Sequence, residues 1–284
     1  MPDISVVILT MGDRPEALAR AISSVHRQND VDAEIVLVIN GGDPDRTGVD
    51  AVIEPGGNVG IPAGRNVGAA ASSAPVVLFL DDDGELLGDD LLVEISAAFL
   101  AREDLGVVAL RIVDERGESS RRHHPSLRLN FDRSTDVTSF PGGASAVRTE
   151  AFVAVEGLCE QFFYGLEETD LAWRLIERGW VVRYCADLRM RHPRTTPSRH
   201  VGFYRLTARN RVWLARQNLP HPMAALYVIN WTILTAIRAR LSPPALKAHL
   251  TGLREGFQSS PRQRAPMSWR TVWRLTRLGR PPVI

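Results

Sequence analysis

Three features of the sequence predict an α/β fold with a mainly parallel sheet, helices on both faces and a helical extension at the C-terminal end. Strand and helix patterns alternate through the first hundred residues, two strand segments are almost wholly apolar, and beyond residue 200 only helical patterns remain. Alternating elements place helices on both sides of a largely parallel sheet. The apolar segments at residues 5–9 and 76–80 belong in the middle of that sheet, and ligands in such folds bind at the carboxyl ends of the strands. A chain of 284 residues holds one large or two small domains, and we place a boundary between an α/β domain, 1–200, and a helical extension, 201–284.

Residues 4–10 read as the first strand, because their apolar run is too short for a signal peptide and no basic segment precedes it. A helix over 14–26, a strand over 34–39 and a weaker strand over 49–54 follow. The glycine-rich stretch 56–66 opens a helix near Ala63, and residues 75–80 form the next strand. Residues 114–139, polar and rich in Arg, His and Ser, read as a long irregular loop over the active site. Helices over 149–157 and 169–178 are separated by Phe162, Phe163 and Tyr164, and 180–184 reads as a strand. Helices over 201–218, 223–241, 245–257 and 268–278 complete the chain.

Cys159 and Cys185 form neither a CxxC pair nor a zinc spacing, which argues against a disulfide framework and for a reducing compartment. The net charge of +1 hides an asymmetry. From Arg238 onward ten basic residues face one acid, Glu255, a balance of +9, which leaves −8 for residues 1–237. The body is acidic and the tail basic.

Four segments carry chemistry. The strand 76–80 runs into Asp81-Asp82-Asp83, and no lysine or arginine stands within several residues. Adjacent carboxylates repel one another, so a divalent cation, Mg²⁺ or Mn²⁺, is their natural counter-charge; a solvated acidic turn leading to a helix capped by Asp89 or Asp90 is the alternative. The loop Gly56–Asn66 offers backbone N–H groups and Arg65 to an anion at a helix N-terminus, or serves only as a turn. Glu167, Glu168 and Asp170 enter a helix beside an aromatic cluster, as a general base with a raised pKa or as favourable helix-end charges. His192 follows a strand and is a candidate ligand; the His123–His124 pair reads as a loop feature near phosphate.

In this order the segments resemble a family 2 glycosyltransferase of the Rossmann-like GT-A fold, over residues 4–218. The likeness rests on Val6–Thr10 with Arg14-Pro15, on Asn58-Val59-Gly60 with Arg65-Asn66, and on Asp81-Asp82-Asp83. Gly142-Gly143-Ala144 and Glu167-Glu168-Thr169-Asp170-Leu171 with Trp173-Arg174 complete it. The resemblance, which extends to bacterial rhamnosyl- and galactofuranosyl-type transferases of cell-surface glycans, implies inverting transfer of a sugar from a nucleotide-diphosphate donor to an acceptor hydroxyl. It implies donor contacts from Thr10, Arg14, Asn40, Asn58, Gly60, Arg65, Asn66, Asp81 and Asp82, and a Mg²⁺ or Mn²⁺ ion on Asp83 and His192. Acceptor contacts are implied for Gly142, Gly143 and Trp173, and the base is expected at Glu168, with Glu167 and Asp170 in reserve. Asn40 stands where relatives often carry an acid, and its amide is expected to read the nucleotide base.

Two rivals remain at this level: a sugar-phosphate nucleotidyltransferase, which would normally carry a basic glycine-rich loop after its first strand, and a non-catalytic binding module on the same fold. The acceptor class is a glycan, a lipid-linked or a small molecule. The segment 223–284, with Tyr227 and Trp231 ahead of Arg238 and Arg240, is expected either to lie on an anionic membrane or to pack on the α/β domain. The expected location is the cytoplasm, peripheral to the inner face of the plasma membrane. Few aromatics interleave with the tail's arginines, which argues against nucleic acid.

Overall fold

The computed structural model describes residues 1–125, 127, 130–194 and 202–283. The first half supplies β1 (Ile4–Thr10), α1 (Pro15–His26), β2 (Ala33–Ile39), β3 (Ala51–Ile53), α2 (Ile61–Ala71), β4 (Val76–Asp81), β5 (Glu85–Leu86), α3 (Leu91–Ala101) and β6 (Leu105–Val113). Next come β7 (Thr135–Asp136), β8 (Ala144–Arg148), α4 (Thr149–Ala154), α5 (Glu167–Glu177) and β9 (Val181–Arg191). Helices α6 (Phe203–Asn218), α7 (His221–Arg238), α8 (Pro243–Gln258) and α9 (Trp269–Arg277) end the chain.

The strands form one sheet in the order β3-β2-β1-β4-β8-β6-β9-β5, with β7 paired to β9. The apolar strands β1 and β4 sit side by side near its middle, as their sequences require. Alternation along β1 sends Val7 to one face and Val6 and Ile8 to the other, and each face has its own buried cluster. One lies under α2, α4 and α5, the other under α1 and α3. The sheet is mixed: β1–β2, β2–β3, β1–β4 and β6–β9 are parallel, whereas β8 runs antiparallel between β4 and β6. That reversal matters for the site, because it brings the start of β8 beside the carboxyl end of β4, where Asp81 N–H donates to the Gly143 carbonyl at 3.0 Å.

Several boundaries differ from the sequence reading. Strands β6 and β8 were not anticipated, and β9 continues to Arg191, seven residues beyond the expected end. Asp90 stands at the N-cap of α3 without capping through its side chain; its Oδ1 accepts from Asn29 instead. The expected loop 114–139 contains a short 3₁₀ turn at Arg121–His123 and strand β7. The boundary at 200–201 and the expected helix start at 201 fall outside the described residues.

The C-terminal helices pack on the α/β layer. Trp213 and Leu214 of α6 and Tyr227 of α7 join the cluster that contains Leu171 and Trp173 of α5. On α8, Gly252 and Gly256 lie against the backbone of Arg205 and Arg209 in α6, where a Cβ would collide with those carbonyls. Of the two expectations for the segment 223–284, packing on the α/β domain holds for Tyr227 and Trp231 of α7: both face the body of the protein, and Trp173 meets Tyr227 edge-on at 6.0 Å. Its opposite face exposes Leu226, Ile229, Ile233 and Ile237. No described helix is long and apolar enough to cross a membrane.

Candidate functional site

The carboxyl ends of β1 and β4 carry the acidic triplet, and the structure supplies counter-charges that local sequence does not reveal. Arg14, just before α1, pairs with Asp82 at 3.0 Å and also with Asp83. Arg65 of α2 donates to Asp81 Oδ1 at 3.0 Å. The expectation that the triplet lacks a nearby cation is corrected here: chain folding brings in two guanidiniums from distant segments. Asp82 is buried, accepts from the Thr10 hydroxyl at 2.7 Å, and burial pushes its pKa up to about 6 despite that bond and Arg14. Thr10 and Arg14 therefore lock β1 to the triplet.

Asp81, Asp83 and His192 present ligand atoms that all lie within 4.8 Å of one another, a group able to hold a metal ion. His192 Nε2 stands 3.1 Å from Asp83 and 3.8 Å from Asp81, while Nδ1 lies 2.7 Å from the Pro193 carbonyl. An Nδ1–H donated to that carbonyl turns the Nε2 lone pair toward the carboxylates, the orientation a metal-bound histidine needs. Burial alone would lower the His192 pKa, but the hydrogen bond to Asp83 and the charges of Asp81 and Asp83 outweigh it and raise it. Two carboxylates and an imidazole suit a divalent ion.

The opposite wall is Gly142-Gly143, ahead of β8, and the first turn of α5. A Cβ on Gly143 would overlap the Asp81 carboxyl, and one on Gly142 would overlap Arg65 Nη1 and Glu168 Oε1. Only glycine lets the backbone come this close. Arg65 lies between the acids, with Nη1 at 3.6 Å from Glu168 Oε1 and in no hydrogen bond among the described residues. Burial raises the Glu168 pKa, opposed by Arg65, yet its side chain retains 22% exposure at the site. Glu167 is 1% exposed, and burial followed by the neighbouring Glu168 charge pushes its pKa to about 8. Its Oε2 has no partner among the described residues, so a neutral carboxyl fits this position at pH 7.

The remaining candidates divide between support and the interior. Asp170 is fully buried in a different network, bonded to Arg174 at 2.7 Å, Asn218 at 2.8 Å and Arg262 at 3.4 Å. Asn40 spends both ends of its amide on the glycine-rich loop: Oδ1 accepts from Val59 N–H at 2.8 Å and Nδ2 donates to Asn58 at 3.2 Å. Asn58 in turn accepts from Gly60 N–H at 3.0 Å. Gly60 adopts φ +87° against Phe163, and Asn66 is bonded to the backbone of Leu158. Trp173 is 5% exposed in the core.

The histidine pair noted in the loop splits in space, and a residue of α6 adds a contact that no sequence spacing reveals. His123 of the 114–139 loop reaches His192, ring centroids 5.8 Å apart, while His124 packs on Phe131 and Tyr184. Asn210 of α6, wholly buried, donates to the carbonyls of Phe162, Tyr164 and Gly165 at 2.9, 3.0 and 2.9 Å. The segment it holds includes Phe163 and Leu166 at positive φ, conformations that persist only when their surroundings enforce them. In the sequence Asn210 stands within Ala208-Arg209-Asn210-Arg211, an Arg-Asn helix pattern similar to one that follows the α/β domain in family relatives, but nothing there shows which carbonyls it holds.

A family profile described as Glycosyl transferase family 2 matches residues 5–155, just over half of the chain. No curated protein matches significantly. Among solved structures, S. aureus TarS 1-349 is 14% identical with a TM-score of 0.62, covering 90% of this chain and 80% of that one. The same fragment in complex with UDP-GlcNAc is 13% identical, with a TM-score of 0.62 over 90% and 81%. GalNAc-T7 with UDP, GalNAc and Mn²⁺ is 16% identical with a TM-score of 0.64, covering 92% of this chain and 55% of that one. The present chain spans 42% of the longer TarS structure.

Proposed function

The chain belongs to glycosyl transferase family 2 and is a glycosyltransferase, and from that premise we propose that it moves a sugar from a nucleotide-diphosphate donor to an acceptor hydroxyl with inversion at the anomeric carbon, Glu168 acting as the base. The observation that carries this reading is the chain of contacts from His192 through Asp83 and Asp81 to Arg65 and Glu168, which joins a cation-holding group to one part-exposed carboxylate across the Gly142-Gly143 gap.

Asp81, Asp83 and His192 would hold Mn²⁺ or Mg²⁺, which when bound neutralises charge on the donor diphosphate. Arg65, hydrogen-bonded to Asp81 at one end and within 3.6 Å of Glu168 at the other, adds a fixed positive charge at the leaving side. Arg14 and Thr10 keep the triplet in place, and Asn40 and Asn58 shape the backbone that faces the nucleoside. Glu168 takes the proton of the attacking hydroxyl. Its access to the site favours it over Glu167, which is sealed in the interior, and over Asp170, whose oxygens are taken by Arg174, Arg262 and Asn218. Base assistance of this kind is worth about 10² to 10⁴ in rate.

The acceptor belongs to cell-surface glycan or glycolipid synthesis in this reading, with the protein peripheral to a membrane. The support is the exposed stripe Leu226, Ile229, Ile233 and Ile237 on α7, continued by Leu241, beside a tail of charge +9. Incubation of the protein with a panel of nucleotide sugars, with Mn²⁺ or with a chelator, tests the assignment. Cation-dependent release of nucleoside diphosphate supports it; release of pyrophosphate from NTP and sugar phosphate, or no turnover of any donor, contradicts it.

A further inference from the structure

Between α5 and the C-terminal helices lies a cavity of about 50 Å³, lined among others by Ser139, Thr169, Trp173, Arg211, Trp231 and Arg280. It takes no part in the chemistry above. Arg211 lies over the Trp231 ring, Cζ 3.5 Å from the centroid, and Arg238 lies over the same ring at 5.3 Å. Arg211 donates to the Tyr227 hydroxyl at 3.3 Å and Arg280 to Ser139 Oγ at 2.8 Å. None of these three arginines forms an ion pair with a carboxylate among the described residues; the charges acting on Arg211 are the Tyr227 phenol and the like charges of Arg238 and Arg280. The Trp231 indole N–H is also buried without a hydrogen-bond partner among those residues.

Guanidiniums gathered in one place without a counter-charge are costly, and each extra donor left unfilled adds to the cost. Arg65 and Arg174 show the contrast, since each has a carboxylate, whereas Arg211 and Arg280, both half-buried, have none among the described residues. Here the missing component is an anion. The cavity has room for about four waters, enough for a tetrahedral oxyanion. A phosphoryl group, with up to two charges and three acceptor oxygens, matches two forked guanidiniums, flanking hydroxyls and an indole N–H better than a single-charged carboxylate does.

The position assigns the group to a substrate side. Leu166 and Thr169 line the cavity and bracket Glu167-Glu168 in sequence, while the cation-holding group and Arg14 lie at the other wall, across Arg65. We infer that this cavity is an anion subsite, Arg211 and Arg280 binding a phosphoryl group carried by the acceptor. The word acceptor rests on the transfer reading above; the anion site itself does not.

Titration calorimetry on the full chain in chelator, without donor, tests it. The probes are inorganic phosphate, farnesyl phosphate in neutral detergent and, as the uncharged control, farnesol. Wild type is expected to bind phosphate saturably, with affinity reduced about tenfold or more in Arg280→Gln and in Arg211→Gln, since a hydrogen bond to a charged group is worth at least one such factor. His192→Ala, on the donor side, should bind phosphate as wild type does. Farnesyl phosphate binding much more tightly than phosphate, with farnesol silent, identifies a lipid-borne acceptor; equal affinities identify a water-soluble one. Failure of both phosphates to bind overturns the inference, and so does unchanged affinity in Arg280→Gln with a wild-type Tm. Loss of phosphate binding in His192→Ala also overturns it, by placing the anion at the donor site. Because no donor is present, phosphate binding without sugar transfer would remove the transfer reading and leave the anion site standing.

Discussion

Replacing Gly143 with alanine probes the closeness of the two walls of the site. The new methyl would occupy the space of the Asp81 carboxyl, and the backbone cannot retreat freely because Asp81 N–H is tied to the Gly143 carbonyl at 3.0 Å, next to the β4–β8 ladder. The carboxyl has to swing aside, which breaks its 3.0 Å bond to Arg65 and removes one of three ligands from the group with Asp83 and His192. Asp81 is 40% exposed and has somewhere to go, so the stability cost sits at the low end of overpacking, about 1 kcal/mol. For a chain of this size that lowers Tm by only a few degrees, roughly 2–4 °C. Cation affinity falls much further, about 10- to 100-fold, the range seen when the support of a metal site is disturbed. Calorimetric titration with Mn²⁺, beside a thermal melt, reads both. A folded Gly143→Ala protein with wild-type Mn²⁺ affinity would show that Asp81 is not held against Gly143 as a ligand.

Three other outcomes follow from the same geometry. Asp170→Asn leaves Arg174 and Arg262 without their buried charge partner and should cost about 3–5 kcal/mol in denaturant unfolding, while kcat of the folded fraction changes far less than for a site residue; a collapse of kcat with stability intact would show that Asp170 is the base. Glu167 sits near pKa 8 in the folded chain against its ordinary 4.5, so the unfolded state loses this proton first on raising pH. Its contribution is fully present below pH 4.5 and is lost as pH rises toward 8, and Glu167→Gln should flatten that decline in a pH series of urea melts. Glu168 is also raised, so the acid limb of kcat/KM should lie above the usual carboxylate range and activity should fall as pH drops through it; a limb at or below that range would contradict the role given to Glu168.

Much of this arrangement is legible in the sequence because it is local. Two apolar runs became the central strands, and the acids at the end of one of them stand at the sheet's carboxyl edge. Glu167 and Glu168 share a helical turn because they are neighbours in the chain. Long-range relations were not legible. Arg14 and Arg65 reach the triplet only after β1 and β4 pair, so a stretch that looks uncompensated in sequence is compensated in space. Strand β8, short and built of Ala, Ser, Val and Arg, carries too little apolar pattern to declare itself, yet its reversal creates the Gly142-Gly143 wall. Helix α7 carries apolar residues on two sides, and composition alone does not say that Tyr227 and Trp231 turn inward while Ile229, Ile233 and Ile237 stay exposed.

A single in-line displacement assisted by Glu168 fixes the stereochemistry of donor cleavage, which can be read without knowledge of the acceptor. ¹H NMR of the first sugar released to water, recorded before mutarotation, should show the anomeric configuration opposite to the donor's. Glu168→Gln should slow that release by about 10²- to 10⁴-fold, with donor affinity nearly unchanged. Release with retained configuration, or wild-type turnover in Glu168→Gln, would contradict it.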